Sequence, residues 1–171
     1  MLDSFIRKVE KIFSIEELSA HCDVPCGVYD PLPAQIAAMT VARMMDTITE
    51  LETHEINDHN SKRDFHYNNK ITRMINEKER SAEIVKEEVR IIWGDFYKDP
   101  QFSAHPDLHK NIHSIMLTAS KCKQNIDIDA SRELVVKLNA FAETFWKIKG
   151  IKSKKVIYHC KPSLEMIFPD L

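Results

Sequence analysis

Glycine is almost missing from this chain: only Gly27, Gly94 and Gly150 occur in 171 residues, and no two of them are near one another. Dinucleotide fingerprints and phosphate-cradling loops need several glycines close together, so nucleotide chemistry of those kinds is excluded. Charge of one sign is missing too, with 24 Lys and Arg against 26 Asp and Glu. The chain as a whole therefore has no nucleic-acid footprint and no polybasic membrane face. No apolar run approaches the length of a membrane span. The opening residues fail as a secretory signal because Arg7, Lys8, Glu10 and Lys11 interrupt any apolar stretch. Four cysteines, Cys22, Cys26, Cys122 and Cys160, are too few for a disulfide scaffold at this length. The expected compartment is the reducing cytoplasm, where a close thiol pair points to metal or redox chemistry.

What is there is helical in pattern. Apolar residues make up 43% and charged residues 29%, which suits one domain around a single core. Ala37, Val41, Met44, Ile48 and Leu51 step by three and four along a helix opened by Pro33 and running to about His54. Glu55 to Asn69 reads as a loop or frayed helix end. Ile71, Ile75, Ala82, Val85, Val89, Ile92 and Phe96 mark a second helix, with Lys78 as its polar interruption and Asp99-Pro100 as its stop. Leu108, Ile112, Ile115, Ala119 and Cys122 mark a third. Leu134, Leu138, Phe141, Phe145 and Ile148 mark a fourth, with Asp129 as its N-cap and Gly150 as its stop. These features predict an all-α fold, an antiparallel up-down-up-down four-helix bundle. The end, Gly150 to Leu171, reads either as a tail or as a short strand packed on a neighbour. Residues 1–20 carry Phe5, Ile6, Val9, Ile12 and Phe13 at helical spacing, and on pattern alone they read as a first helix.

The chemistry-bearing segment is His21-Cys22-Asp23-Val24-Pro25-Cys26-Gly27-Val28-Tyr29-Asp30-Pro31. Pro25, Gly27 and Pro31 give it little helix propensity, so it reads as a hook or loop. Its Cys-x3-Cys spacing lets two thiolates meet one metal only if the backbone curls between them, and on spacing alone a metal site and incidental thiols stand about even. Cleavage after Ala20 changes the chemistry, because His21 then presents a free amine. That amine, the deprotonated Cys22 amide and the two thiolates form an N2S2 donor set. Such a set suits Ni(II) or Cu(II) better than tetrahedral zinc, with the His21 imidazole placed for axial approach. His105, His109 and His113 are spaced along one helical face, but without an H-E-x-x-H arrangement they read as surface or interface histidines.

Residues 21–31 resemble the nickel hook of the nickel-containing superoxide dismutases over nearly the whole motif. Trp93-Gly94-Asp95-Phe96-Tyr97-Lys98-Asp99-Pro100-Gln101-Phe102 is similar to that family's Trp-x-Asp-aromatic-aromatic-Lys-x-Pro-x-Phe stretch, with the order of the two aromatics exchanged. His105 to His109 and Phe145-Trp146 match as well, and the family's four-helix bundle agrees with the periodicity. The resemblance implies that residues 1–20 are a pro-segment removed by a processing peptidase, rather than a helix of the fold. It implies a 21–32 hook, a 33–149 bundle and a 150–171 extension. It also implies one nickel per subunit, bound by the His21 amine and imidazole, the Cys22 amide and thiolate, and the Cys26 thiolate. Asp23 and Tyr29 would line the approach to the metal. The implied activity is dismutation of superoxide to O2 and H2O2 by a homohexamer; the alternative is a non-catalytic nickel- or copper-binding trafficking bundle. An ungapped match puts Ala37 and Ser81, with Arg80 adjacent, where some members carry a Glu and an Arg that hold the histidine ring.

Overall fold

This computed structural model describes residues 27–57 and 65–171. The 1–20 segment and the hook residues His21, Cys22, Asp23 and Cys26 lie outside the described residues. Helix α1 spans Leu32–Asn57. Its start is fixed by Asp30, whose carboxylate accepts from the Leu32 amide at 2.8 Å, and by the Pro31 carbonyl, which accepts from Gln35 N. Pro33 sits in the first turn, where its missing N–H costs nothing. The buried face is wider than the predicted stripe: Ala34, Ala38, Val41, Ala42 and Met45 are fully buried, with Met44 and Leu51 only half-buried. Met45 replaces Met44 in the core because a globular helix buries two neighbouring rows, not one seam.

Helix α2, Phe65–Ile91, begins inside the stretch expected to be loop. Lys78 is not an exposed interruption of its apolar face. It is 2% exposed, and its ammonium donates to the carbonyls of Lys123 at 2.7 Å and Asn125 at 3.0 Å. Those carbonyls lie at the C-terminal end of helix α4, Leu108–Gln124, where unpaired acceptors and the helix dipole favour a cation. Burial nevertheless lowers the Lys78 pKa.

After Ile91 the chain continues as one π-helical turn, Ile92–Phe96, closed by Tyr97 N–H to Ile92 O at 3.2 Å. Asp99-Pro100 does not end α2 as expected. Lys98 is extended, and Pro100 opens the short helix α3, Asp99–Ala104, in the first-turn position that proline tolerates. The Gln101 side chain accepts from Lys98 N and caps that turn. Helix α4 covers Leu108–Gln124 and helix α5 covers Ile128–Ile148.

The N-cap of α5 is Asp127, not Asp129. The Asp127 carboxylate accepts from Ala130 N at 2.8 Å and pairs with Lys121 at 2.7 Å. The far end of α5 stops as expected at Gly150, which has φ +71°. Gly150 N bonds back to Lys147 O and Ile151 N to Trp146 O, a Schellman closure that needs a left-handed residue.

The all-α expectation is corrected at the C-terminus. Strands β1, Ser153–Ile157, and β2, Glu165–Pro169, form an antiparallel pair with Ser153 opposite Pro169 and Ile157 opposite Glu165. Met166 and Ile167 on β2 are buried against the helices, while β1 faces outward. Asn139 of α5 donates to Glu165 O at 2.8 Å and accepts from the Gln35 side chain at 3.0 Å, tying the hairpin to α5 and α1. Of the two readings of this segment the strand is the one observed; its pairing was not readable because Ser-Lys-Lys-Val-Ile and Glu-Met-Ile-Phe-Pro each lack a clean period-two alternation over their five positions.

Four long helices enclose the core: α1 packs on α2 and α5, and α4 packs on the same two. Among the described residues no helix is long and apolar enough to cross a membrane.

Candidate metal centre

The expected ligands His21, Cys22 and Cys26, and Asp23 beside them, lie outside the described residues; the site is defined by the root from which they extend. Gly27 follows Cys26 directly and has φ +64°, with nothing within 4 Å of where a Cβ would stand. Its backbone conformation, not crowding, is what calls for glycine there. Val28 is exposed. Tyr29 then turns inward, 8% exposed, with its ring centroid 5.6 Å from that of Phe96. Asp30 caps α1 immediately afterwards. Residues 27–30, which follow the expected hook in sequence, are thus held by an aromatic contact at Tyr29 and a helix cap at Asp30.

The second motif packs against Tyr29 through Phe96. The π-helical turn separates two adjacent rings: Phe96 meets Tyr29 and, at 4.8 Å, Phe145, while Tyr97 meets Phe102 and Phe141. Tyr97 is 2% exposed, and its hydroxyl has no partner among the described residues. Burial raises its pKa, so it stays protonated. Lys149, at the end of α5, holds its ammonium 5.9 Å from the Phe96 centroid and 5.4 Å from that of Phe145. Sequence reasoning passed over Lys149; the signal was its four-residue spacing from Phe145, which puts both on one helical face.

Other candidate donors are committed elsewhere. Trp93 Nε1 donates to His109 Nδ1 at 3.0 Å, and His109 stacks on Phe102 with centroids 3.9 Å apart. That bond leaves His109 Nδ1 unprotonated and occupied. His105 is half-buried and His113 exposed. Among the described residues no three His, Cys, Asp or Glu gather closely enough to hold a metal. Cys122 is fully buried, and burial pushes its thiol up to about 11, so it is a protonated core residue at neutral pH. Ala37 and Ser81 are both buried, and Ser81 spends its hydroxyl on Glu77 Oε1 at 3.2 Å, so neither position supplies a charged partner for a histidine ring.

The donor set expected of the hook suits nickel. An amine, an amidate and two thiolates are strong, largely anionic donors that favour a d8 ion and stabilise its higher oxidation state. The described residues define a helical protein, and the sequence puts its candidate metal donors in the short segment that precedes helix α1.

Known proteins match this arrangement. The sequence profile described as nickel-containing superoxide dismutase matches residues 16–149. The superoxide dismutase [Ni] of Streptomyces seoulensis is 30% identical over 133 residues, covering 78% of this chain and 91% of that protein. The superoxide dismutase [Ni] of Streptomyces coelicolor is 31% identical over 132 residues, covering 77% and 90%. The native crystal structure of a nickel superoxide dismutase superposes with a TM-score of 0.62 at 29% identity, covering 75% of this chain and 99% of that one. The chain belongs to the nickel-containing superoxide dismutase family. The matched residues stop at Lys149, so the β1–β2 hairpin lies beyond them.

Proposed function

We propose that this protein is a superoxide dismutase working through one nickel per subunit at a processed N-terminus. The observation that carries the reading is the profile match running through the hook motif, residues 21–31, and on through the helices. A bound nickel ion alternating between Ni(II) and Ni(III) supplies the one-electron chemistry: one superoxide is oxidised to O2, and a second, with two protons, is reduced to H2O2.

The chain's own residues divide the remaining work. The His21 amine and imidazole, the Cys22 amide and thiolate and the Cys26 thiolate hold the ion. Asp23 and Tyr29 line the approach, where the Tyr29 phenol can hold the anion or a water by a hydrogen bond. The packing of Tyr29 on Phe96 supports that placement, since it fixes the ring three residues beyond Cys26. The division follows: residues 1–20 are a pro-segment removed by a peptidase, 21–32 the hook, 33–149 an antiparallel up-down-up-down four-helix bundle, and 150–171 an extension. The closed set of contacts among α1, α2, α4 and α5 supports the bundle. The working unit is a cytoplasmic homohexamer.

The deciding experiment measures superoxide consumption by nickel-loaded protein beginning at His21, beside the same protein beginning at Met1. Rapid turnover confined to the His21 form supports the dismutase and the amine ligand together. Stoichiometric nickel without turnover in either form would replace it with a metal carrier.

A further inference from the structure

The last 25 residues have a charge balance unlike the rest of the chain. Lys147, Lys149, Lys152, Lys154, Lys155 and Lys161 face only Glu165 and Asp170, in a chain with 24 basic and 26 acidic side chains in all. The remainder is therefore net acidic, and the cations are concentrated at one end of the sequence.

The fold puts part of that concentration beside the root of the hook. Lys149 stands over Phe96, the ring that Tyr29 packs against. Lys152 follows the Ile151 N–H bond to Trp146 O, which keeps the chain at the last turn of α5. Lys155 is on the outward strand β1, opposite buried Ile167. At about 3.3 Å per strand residue it is roughly 10 Å further on. None of the three is in an ion pair within 4 Å among the described residues. Lys154 is different, because Asp170 holds it at 2.9 Å; Lys147 and Lys152 both line one open groove with Glu143, and neither forms an ion pair with it.

Two carboxylates are chain neighbours of Tyr29 and Phe96. Asp30 caps α1 beside Tyr29, and Asp95 lies half-buried in the π-helical turn before Phe96. An incoming anion meets their negative field as it nears Tyr29. Uncompensated cations within about one Debye length, roughly 10 Å at 0.1 M salt, offset that field and raise the local anion concentration.

We propose that Lys149, Lys152 and Lys155, carried by the end of α5 and the C-terminal hairpin, form an electrostatic collector that draws superoxide anion to the root of the hook. The collector rests on the dismutase reading for its substrate, but its field exists whether or not the centre turns over. It assigns a role to the hairpin, which lies outside the residues matched by the family profile.

The test compares full-length wild type, processed and nickel-loaded, with Lys149→Gln/Lys152→Gln/Lys155→Gln. A charge-matched control carries Lys70→Gln/Arg73→Gln/Lys121→Gln, all exposed, the first two at least roughly six turns of helix before Phe96 and the third in the last turn of α4, which Lys78 meets. The expected result is a rate constant for superoxide about three- to tenfold lower in the first variant at low ionic strength. The gap should close near 1 M salt, where the screening length is about 3 Å. The control should stay within about twofold of wild type. Equal rates at low salt, or an equal loss in the control, would overturn the proposal.

A second measurement needs neither nickel nor turnover. Relaxation of the Val28 and Tyr29 amide protons is compared for an anionic and a neutral nitroxide added to metal-free protein. The anionic probe should relax them about twofold more strongly in wild type, as a local potential near one kT requires, and this excess should vanish in the hairpin variant. Equal relaxation by both probes in wild type would also overturn the collector. Wild type that consumes no superoxide, yet shows the anionic excess, would sink the dismutase reading and leave the collector standing.

Discussion

Tyr29 and Phe96 meet with ring centroids 5.6 Å apart, and that contact joins the end of the hook motif to the turn that follows α2. Phe96 also touches Phe145 and lies under the Lys149 ammonium, so one half-buried ring connects three separate parts of the chain. Phe96→Ala should therefore cost about 2–3 kcal/mol, towards the low end for an aromatic truncation because the ring is not fully enclosed. It should also speed hydrogen exchange at the Tyr29 amide more than at amides near Lys78. Thermal unfolding and site-resolved exchange check both; unchanged Tyr29 exchange would mean that the Asp30 cap alone fixes the hook's root.

The start of α5 gives a prediction that separates two aspartates. Asp127→Ala removes an acceptor for Ala130 N and the partner of Lys121, and should cost about 1 kcal/mol, within the usual range for an N-cap. Asp129→Ala removes an exposed first-turn charge and should cost at most a few tenths of a kcal/mol. Parallel urea titrations decide between them, and the reverse order would restore the cap read from periodicity.

That pair shows where sequence was sufficient and where it was not. The segment from Asn125 to Asp129 places aspartates two apart, and only the backbone dihedrals distinguish the cap from its neighbour. Gly150 carried no such ambiguity, since a lone glycine after a strong apolar stripe has one ordinary use. The family was legible because residues 21–31 and 93–102 carry its motifs, whereas the Cys-x3-Cys spacing alone left a metal site and incidental thiols about even. Three features were not legible. Lys78 looks polar in any hydropathy reading, yet it is buried because α4 ends against it. The π-helical turn follows from packing Phe96 and Tyr97 on different partners, which no local propensity encodes. The hairpin owes its order to Met166 and Ile167 and to the Asn139 bond, all settled by contacts far along the chain.

Cys122 predicts an alkaline signature. Burial lifts its thiol from 9.0 to about 11 in the folded chain. The unfolded chain ionises first, so the stabilisation is complete below about pH 9 and is lost as pH rises through about 11. Wild type should lose about 2 kcal/mol more than Cys122→Ala between about pH 8 and about pH 11. The variant is less stable throughout, because it leaves a cavity, but that cost does not vary with pH. Denaturant unfolding of both proteins at the two pH values gives the difference directly, and parallel losses would show that the thiol ionises without unfolding.

The four cysteines divide into two pairs with opposite expectations, which makes the metal assignment testable without any activity. Cys122 is fully buried and protonated, and Cys160 is exposed in the hairpin turn, away from any described cluster of donors. Replacing either by serine should leave nickel stoichiometry in the processed protein near one per chain. Cys22→Ser or Cys26→Ser removes a thiolate from the proposed donor set, and a hydroxyl stays protonated where a thiolate would bind. Each should lower nickel affinity by more than tenfold, with loss of turnover. The helices should be intact, because α1 is capped by Asp30 and anchored through Tyr29, both beyond Cys26. Metal analysis after gel filtration, paired with far-ultraviolet circular dichroism, reads both quantities on the same sample. Full nickel in Cys22→Ser and Cys26→Ser, or its loss in Cys160→Ser, would move the centre out of the hook.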